Sequence, residues 1–433
     1  MKWVPRKEPL HMEQEQKQKA LLVGVNINRQ PYFRESMEEL KELAAACEFE
    51  VAGNIEQNLK AMDKAYYIGP GKVEEVKVLA EETGAEVLIF DNELSPSQLR
   101  NLEKALECII LDRTSLILEI FARRARTREA KLQVEVARLQ YMLPRLIGAN
   151  EALDRQYGGV GTMNRGAGEK KLVLDRRRIE GKITELEKEL EVIANERRTQ
   201  RKKRNRSGLP TVALVGYTNA GKSTLMNAMV ELSQKPDSKK VFEKDMLFAT
   251  LETSVRNIAL PDNKVFLLSD TVGFVSKLPH DLVKAFRSTL EEVKEADLLL
   301  HVVDASNPDC EHQREVADET LKQIGAGDIP VIYVYNKIDL TGSREPVVRD
   351  DSIYISARGK DGLEELIQLI SKKIFRQYVD CRMLIPYGQG NIVSYFNENA
   401  RIKSVNYRSK GVLLDMECKE SDFKRYEQFV HTK

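Results

Sequence analysis

A chain of 433 residues with 68 Lys and Arg against 67 Asp and Glu carries a formal net charge of only +1. It is too long for one ordinary core, so about two to four domains are expected, and any nucleic-acid binding must rest on local basic patches. A 42% hydrophobic and 31% charged composition fits a soluble globular protein, and no apolar run approaches the roughly 18–20 residues that span a bilayer.

The N-terminal stretch MKWVPRKEPLHMEQEQKQKA has no hydrophobic core followed by a small-residue cleavage site, so no signal peptide is expected there. Five cysteines (Cys47, Cys108, Cys310, Cys381 and Cys418) stand singly, as reduced thiols of a cytosolic protein do. Residues 1–20 read as an extension. In 21–125, LLVGVNI, EVLIFD and CIILD read as buried strands, and SMEELKELAAA, GKVEEVKVLAEE and SPSQLRNLEKALE as helices. The last helix opens on a Ser-Pro cap and first turn. Strand–helix alternation predicts a small parallel sheet covered by helices.

From about residue 126 the period changes. Leu132, Val136, Leu139, Leu143 and Leu146 recur in steps of four and three, and Ile179, Ile183, Leu186, Leu190 and Ile193 repeat the pattern. The spacing predicts a long antiparallel helical hairpin over 126–207, with Pro144 kinking or ending its first helix. Between the helices lies YGGVGTMNRGAGEKK, with a glycine-rich tip at 158–168. No strand precedes it and no Gly-Lys-Ser/Thr closes it, so it does not read as a nucleotide cradle. Its cations Arg165, Lys170 and Lys171, with the basic flanks ARRARTREAK, DRRRIEGK and RRTQRKKRNRSG, suit contact with folded RNA, where glycines admit close backbone approach. A solvated loop joining two packed helices is the plainer alternative.

Residues 208–375 return to strand–helix alternation and predict a doubly wound, mostly parallel sheet; 376–433 read as a small α/β subdomain. GYTNAGKST fits GxxxxGK[ST] between a strand and a helix, where backbone amides and the helix N-terminus wrap phosphates. Its residues Gly216, Tyr217, Thr218, Asn219, Ala220, Gly221, Lys222, Ser223 and Thr224 are candidate GTP contacts. Lys222 reaches the β- and γ-phosphates, and the Ser223 hydroxyl takes a place on Mg2+.

Asp270, Thr271, Val272 and Gly273 end a later strand; Asp270 reaches Mg2+ through water, and the Gly273 amide faces the γ-phosphate. Asn336, Lys337, Ile338 and Asp339 end another. A carboxylate at Asp339 accepts both the ring N–H and the exocyclic amine of guanine, which adenine does not satisfy. Ser356, Ala357 and Arg358 supply a backbone amide for the guanine oxygen. The threonine that closes over magnesium and γ-phosphate is sought in Phe248, Ala249, Thr250, Leu251 and Glu252 or at Thr253, and Thr250 is preferred. Lys222, Thr250 and Gly273 are thus the candidate catalytic residues, and Ser223, Thr250 and Asp270 the metal set. Many GTPases orient water with a glutamine after this glycine, but here Phe274 follows, so slow turnover raised by a partner is expected. His280 is the alternative water-positioning residue.

These motifs, with LPHDLVKAFRSTLEEVKEADLLLHVVDAS downstream, closely resemble the HflX family of translational GTPases. YIGPGKVEEV, FDNELSPSQLRNLE, DRTSLILEIFARRARTREAKLQVEVARLQYMLPRL and LDRRRIEGKI resemble its N-terminal domain and hairpin, and MLIPYGQGNIVSYFNENARI its C-terminal subdomain. The resemblance implies a cytoplasmic GTPase; a monomer is expected, with peripheral association with ribosomes or membrane. It further implies binding of GTP and GDP and of the large ribosomal subunit, and rescue of stalled or stress-inactivated ribosomes by splitting or remodelling. Asn219 matches an asparagine that helps hold K+ in related GTPases. Members are also linked to ATP hydrolysis through the N-terminal region, but GPGK at 69–72 lacks a following Ser or Thr and reads as a proline-led helix start. The tip departs from the usual GGxGTRGPGE in being two residues longer, with Ala167 in place of proline. A large-subunit assembly GTPase, and a signalling switch that never meets RNA, remain the competing functions.

Overall fold

The computed structural model describes residues 17–156, 165–205, 209–233, 254–262, 264–277, 292–342, 345–375 and 378–431, with backbone alone at 146–156, 165–173, 198 and 200–205. It divides into two compact units, Met1–Ile120 with Tyr141–Ile179, and Phe121–Gln140 with Glu180–Lys433.

In the first unit, β1 (Lys19–Ile27), β2 (Glu50–Leu59), β3 (Val87–Phe90) and β4 (Ile109–Asp112) form a parallel sheet in the order β2-β1-β3-β4. Ala20 to Val25 are all buried, as expected of a central strand covered on both faces. The edge strand β2 was not among the expected strands: Gly53, Asn54 and Gln57 dilute its apolar alternation. The connecting helices are α1 (Phe33–Ala46), α2 (Pro70–Thr83) and α3 (Pro96–Leu106), and α4 (Arg113–Arg124) follows β4. Pro70 opens α2, in keeping with a proline-led start at GPGK. Ser95 caps α3: its Oγ accepts from Gln98 N at 3.3 Å, while Gln98 Oε1 accepts from Ser95 N at 2.9 Å.

Two buried ionic clusters sit beyond the carboxyl ends of β3 and β4. Arg113, 1% exposed, donates to Asp91 at 2.7 Å and pairs with Glu39. Asp112 accepts from Tyr141 Oη at 2.5 Å, from Arg145 Nη2 at 3.0 Å and from Leu94 N at 3.0 Å. Asp112 thereby pins the middle of the next helix to the first sheet.

That helix, α5 (Arg128–Gln156), pairs with α6 (Arg165–Asn205). The Glu129–Arg197 and Gln140–Glu187 contacts climb one helix while descending the other, so the hairpin is antiparallel. Of the ten expected seam positions, Val136, Ile183 and Leu186 are buried, Leu132, Leu139, Leu143, Ile179, Leu190 and Ile193 are half-buried, and the Leu146 side chain lies outside the described residues. On α5, however, Ala130, Gln133, Val134 and Ala137 are also buried, so it packs along a second face outside the 4,3 repeat. The helix runs through Pro144 rather than stopping there. Arg145 Nη1 donates to Tyr141 O at 2.7 Å beside that residue, supplying an extra donor where proline weakens the ladder. Helix α6 begins at Arg165, so Gly166 and Gly168 belong to its first turn rather than to a loop reaching 171. Residues 157–164 lie outside the described residues.

The second unit holds a seven-stranded sheet of β5 (Thr211–Gly216), β6 (Ser254–Ala259), β7 (Val265–Asp270), β8 (Leu298–Asp304), β9 (Val331–Asn336), β10 (Val347–Arg349) and β11 (Ser352–Tyr354). The order is β10-β11-β9-β8-β5-β7-β6, parallel except at its two edge strands. Helices α7 (Lys222–Leu232) and α9 (Leu363–Ile374) contribute to one core layer and α8 (Cys310–Gln323) to the opposite one. An antiparallel sheet of β12 (Tyr378–Ile385), β13 (Arg401–Arg408) and β14 (Gly411–Lys419) follows, packed with α10 (Gly390–Asn399) and α11 (Glu420–Arg425). Lys264, 6% exposed, joins the two sheets: its Nζ lies 2.8 Å from Glu417 and 5.1 Å from the centre of the Tyr378 ring.

Candidate functional site

The carboxyl ends of β5, β7, β8 and β9 meet where a doubly wound sheet binds ligands. The chain leaves β5 at Gly216, turns through Asn219, which is exposed with φ 60°, and enters α7 after Gly221, with φ 91°. A side chain at Gly221 would be strained in that conformation, and its Cβ would lie 2.3 Å from Asn336 Nδ2. Two backbone bonds lock this loop to the end of β7: Thr218 N donates to Phe274 O at 2.8 Å, and Phe274 N to Gly216 O at 3.0 Å. Gly273 lies so close that a Cβ would stand 2.9 Å from Lys222 Nζ. Loop, lysine and Gly273 therefore form one cradle that admits only backbone.

Lys222 is buried at 7% exposure; its Nζ donates to Gly216 O at 3.0 Å and Tyr217 O at 2.7 Å. Burial pushes its pKa down to about 8, against the opposing pull of Asp270. Ser223 Oγ donates to Asp270 Oδ2 at 2.7 Å, and Asp270 is 0% exposed. These hard oxygens, on the first turn of a helix and the end of a strand, suit a magnesium ion shared with phosphate. Among the described residues no three His, Cys, Asp or Glu gather to hold a metal alone.

Thr271 and Val272 face inward: Thr271 Oγ1 donates to Leu214 O at 2.6 Å, and Val272 is buried. Phe274 is 3% exposed and packs with Tyr217, Val215 and Leu299, so its ring belongs to the core.

Asn336, 2% exposed, braces the other end of the site. Its Nδ2 donates to Ala220 O at 3.0 Å, and its Oδ1 accepts from Ala357 N at 2.9 Å. Ser356 Oγ donates to the exposed Asp339 at 2.7 Å and accepts from Gly359 N at 2.9 Å, which orients the carboxylate outward. Lys337, with φ 67°, pairs with Asp304 at 2.7 Å, and Ile338 is buried. Sequence reasoning missed Asp304, whose place opposite Asn336 is set only by the register of the sheet. Arg358 is exposed and Thr224 half-buried. Phe248, Ala249, Thr250, Leu251, Glu252, Thr253 and His280 lie outside the described residues, and the side chains of Arg165, Lys170 and Lys171 are likewise not described.

Among the described residues no helix is long and apolar enough to cross a membrane. Three family models match in tandem: GTP-binding GTPase N-terminal over 34–122, GTP-binding GTPase Middle Region over 124–204, and 50S ribosome-binding GTPase over 211–337. The chain is 44% identical over 414 residues to GTPase HflX of Caldanaerobacter subterraneus subsp. tengcongensis, covering 96% of this chain and 94% of that one. It is 40% identical over 368 residues to GTPase HflX of Escherichia coli K12, covering 84% of each. A solved GTP-binding protein from Sulfolobus solfataricus in complex with GDP is 27% identical, with coverage of 82% of this chain and 98% of that one and a TM-score of 0.42. On the three family models and on relatives at 40–44% identity over most of the chain, the chain belongs to the HflX family of GTPases.

Proposed function

We propose that this GTPase binds the large ribosomal subunit, is slow alone and stimulated there, and rescues stalled ribosomes by splitting or remodelling them. The observation that carries this is a nucleotide cradle in the same chain as a long antiparallel hairpin with basic flanks. The family model named 50S ribosome-binding GTPase, matched over the cradle, supports the same reading.

In this reading Lys222, the cradle amides and Gly273 hold the β- and γ-phosphates, and Asp339 selects guanine. Ser223, Asp270 and Thr250 would hold magnesium, which when bound neutralises charge developing on the phosphates. Asn219 would help hold K+ beside them. Because the Phe274 ring lies in the core, that position offers attacking water no polar side chain, so basal hydrolysis is slow and the ribosome supplies the missing alignment. The hairpin carries Arg165, Lys170 and Lys171 to ribosomal RNA while the GTPase domain docks elsewhere.

Co-sedimentation with ribosomes and free subunits, with a GTP analogue and with GDP, tests the partner. GTP-dependent retention on large subunits is expected. Retention on neither subunit would leave a switch acting on protein partners, and retention only on immature subunits would indicate assembly. Replacing 160–168 by a Gly-Ser link should leave GTP binding intact and abolish splitting. Undiminished splitting by that variant would make the hairpin a scaffold.

A further inference from the structure

The first unit holds a feature that the nucleotide site does not use. β2 is the edge of its sheet, and among the described residues it pairs only with β1. At ten residues it is the longest strand of the four. Natural edges are blunted by brevity, proline, charge, bulges or a covering element; β2 is long and proline-free, its two charges are Glu50 and Glu56, and beyond the bulge between Val51 and Gly53 it runs in unbroken register with β1 from Gly53 to Leu59. Beside it lies a groove of about 600 Å³ formed with α2 and lined by Asn54, Ile55, Glu56, Glu74, Val78 and Glu82 among others. Val78 is 53% exposed, an apolar side chain on the groove wall beside the open edge.

The groove's charge is one-sided. Glu56, Glu74, Glu75 and Glu82 line it, and its single cation, Lys72, is engaged by Glu75 at 2.5 Å. A second copy of β2 would bring Glu50 and Glu56 against their own kind, and a phosphate backbone would be repelled. An extended basic chain meets neither penalty. Its backbone completes the hydrogen bonds that β2 presents, alternate residues lie toward Val78, and its cations meet the carboxylates.

We infer that the β2–α2 groove is a docking site for an extended lysine- or arginine-rich polypeptide segment, which adds to the sheet as a further strand beyond β2. The inference does not rest on the ribosomal reading above.

The test uses the full chain and a fluorescent peptide of alternating lysine and valine, about ten residues long to match β2. Three controls accompany it: glutamate in place of lysine, prolines in place of alternate valines, and the same peptide in high salt. The expected result is saturable binding, with slowed amide exchange confined to those amides of 50–59 that point away from β1. Binding should weaken about ten-fold or more in a Glu74→Lys/Glu82→Lys variant, since exposed attractions become repulsions. The proline and glutamate peptides should fail, and salt should weaken the lysine peptide. These two glutamates sit on an exposed helix face, so circular dichroism and unchanged GTP binding verify the variant's fold. Equal binding of the proline peptide would overturn strand addition, and equal binding by the charge-reversed chain would overturn the groove as the site. If the amides of 50–59 that point away from β1 are already protected without peptide and lose that protection when residues 2–16 are removed, the edge belongs to the chain's own N-terminus and the inference also fails.

Discussion

Asn336 is placed as a brace between two loops, and removing it should cost stability before specificity. Its amide makes two buried bonds, 3.0 Å to Ala220 O and 2.9 Å from Ala357 N. Asn336→Ala leaves a carbonyl and an N–H without these partners in a site where Asn336 itself is only 2% exposed. An orphaned buried group costs about 1–3 kcal/mol, so with some relaxation the pair costs about 2–4 kcal/mol. At roughly 2–4 °C per kcal/mol for a unit of this size, the melting midpoint should fall by about 5–15 °C. The assay is thermal and urea unfolding without nucleotide, alongside GTP and GDP affinity. Both nucleotides should weaken in parallel, because the phosphate loop and the 356–358 loop lose their tie. A variant that melts within about 0.5 kcal/mol of the parent, the level of an ordinary surface change, yet loses nucleotide binding would refute the brace.

Asp339→Asn should instead leave the melting midpoint nearly unchanged, since Asp339 is exposed, while weakening GTP roughly 10- to 100-fold, as loss of a charge-assisted pair does, and favouring xanthine nucleotide in competition binding. Lys222, pushed down to about 8 from 10.5, should make GTP affinity flat below that pH and then falling as pH rises, by up to about ten-fold per unit, because phosphate binds the ammonium form; calorimetry should record proton uptake. The sign reverses for the unliganded fold: between about 8 and 10.5 the unfolded lysine holds its proton and the folded one does not, so stability rises with pH and denaturant midpoints should follow. If Asn219 helps hold a monovalent cation, K+ should raise GTP hydrolysis over Na+ and Asn219→Ala should erase the difference; equal rates in both salts remove that role.

The candidate site was legible in the sequence because its parts are short, local and chemically constrained. A GxxxxGK[ST] turn needs glycines whatever surrounds it, and the Gly221 conformation and the Gly273 approach show why. Ser95 and Pro96 set the start of α3 by local hydrogen bonding alone, which is also why that boundary was readable. β2 escaped because an edge strand buries little, so selection for apolar alternation is weak along it. The second buried face of α5 escaped because a heptad repeat records one partner, whereas this helix packs along two faces. No pattern in the chain placed the Phe274 ring in the core, tied Asn336 to Ala220 and Ala357, or set Asp304 against Lys337. Those contacts join residues up to 116 positions apart. They exist only because parallel strands bring their carboxyl ends together, so the fold alone decides which polar groups meet there and which turn inward.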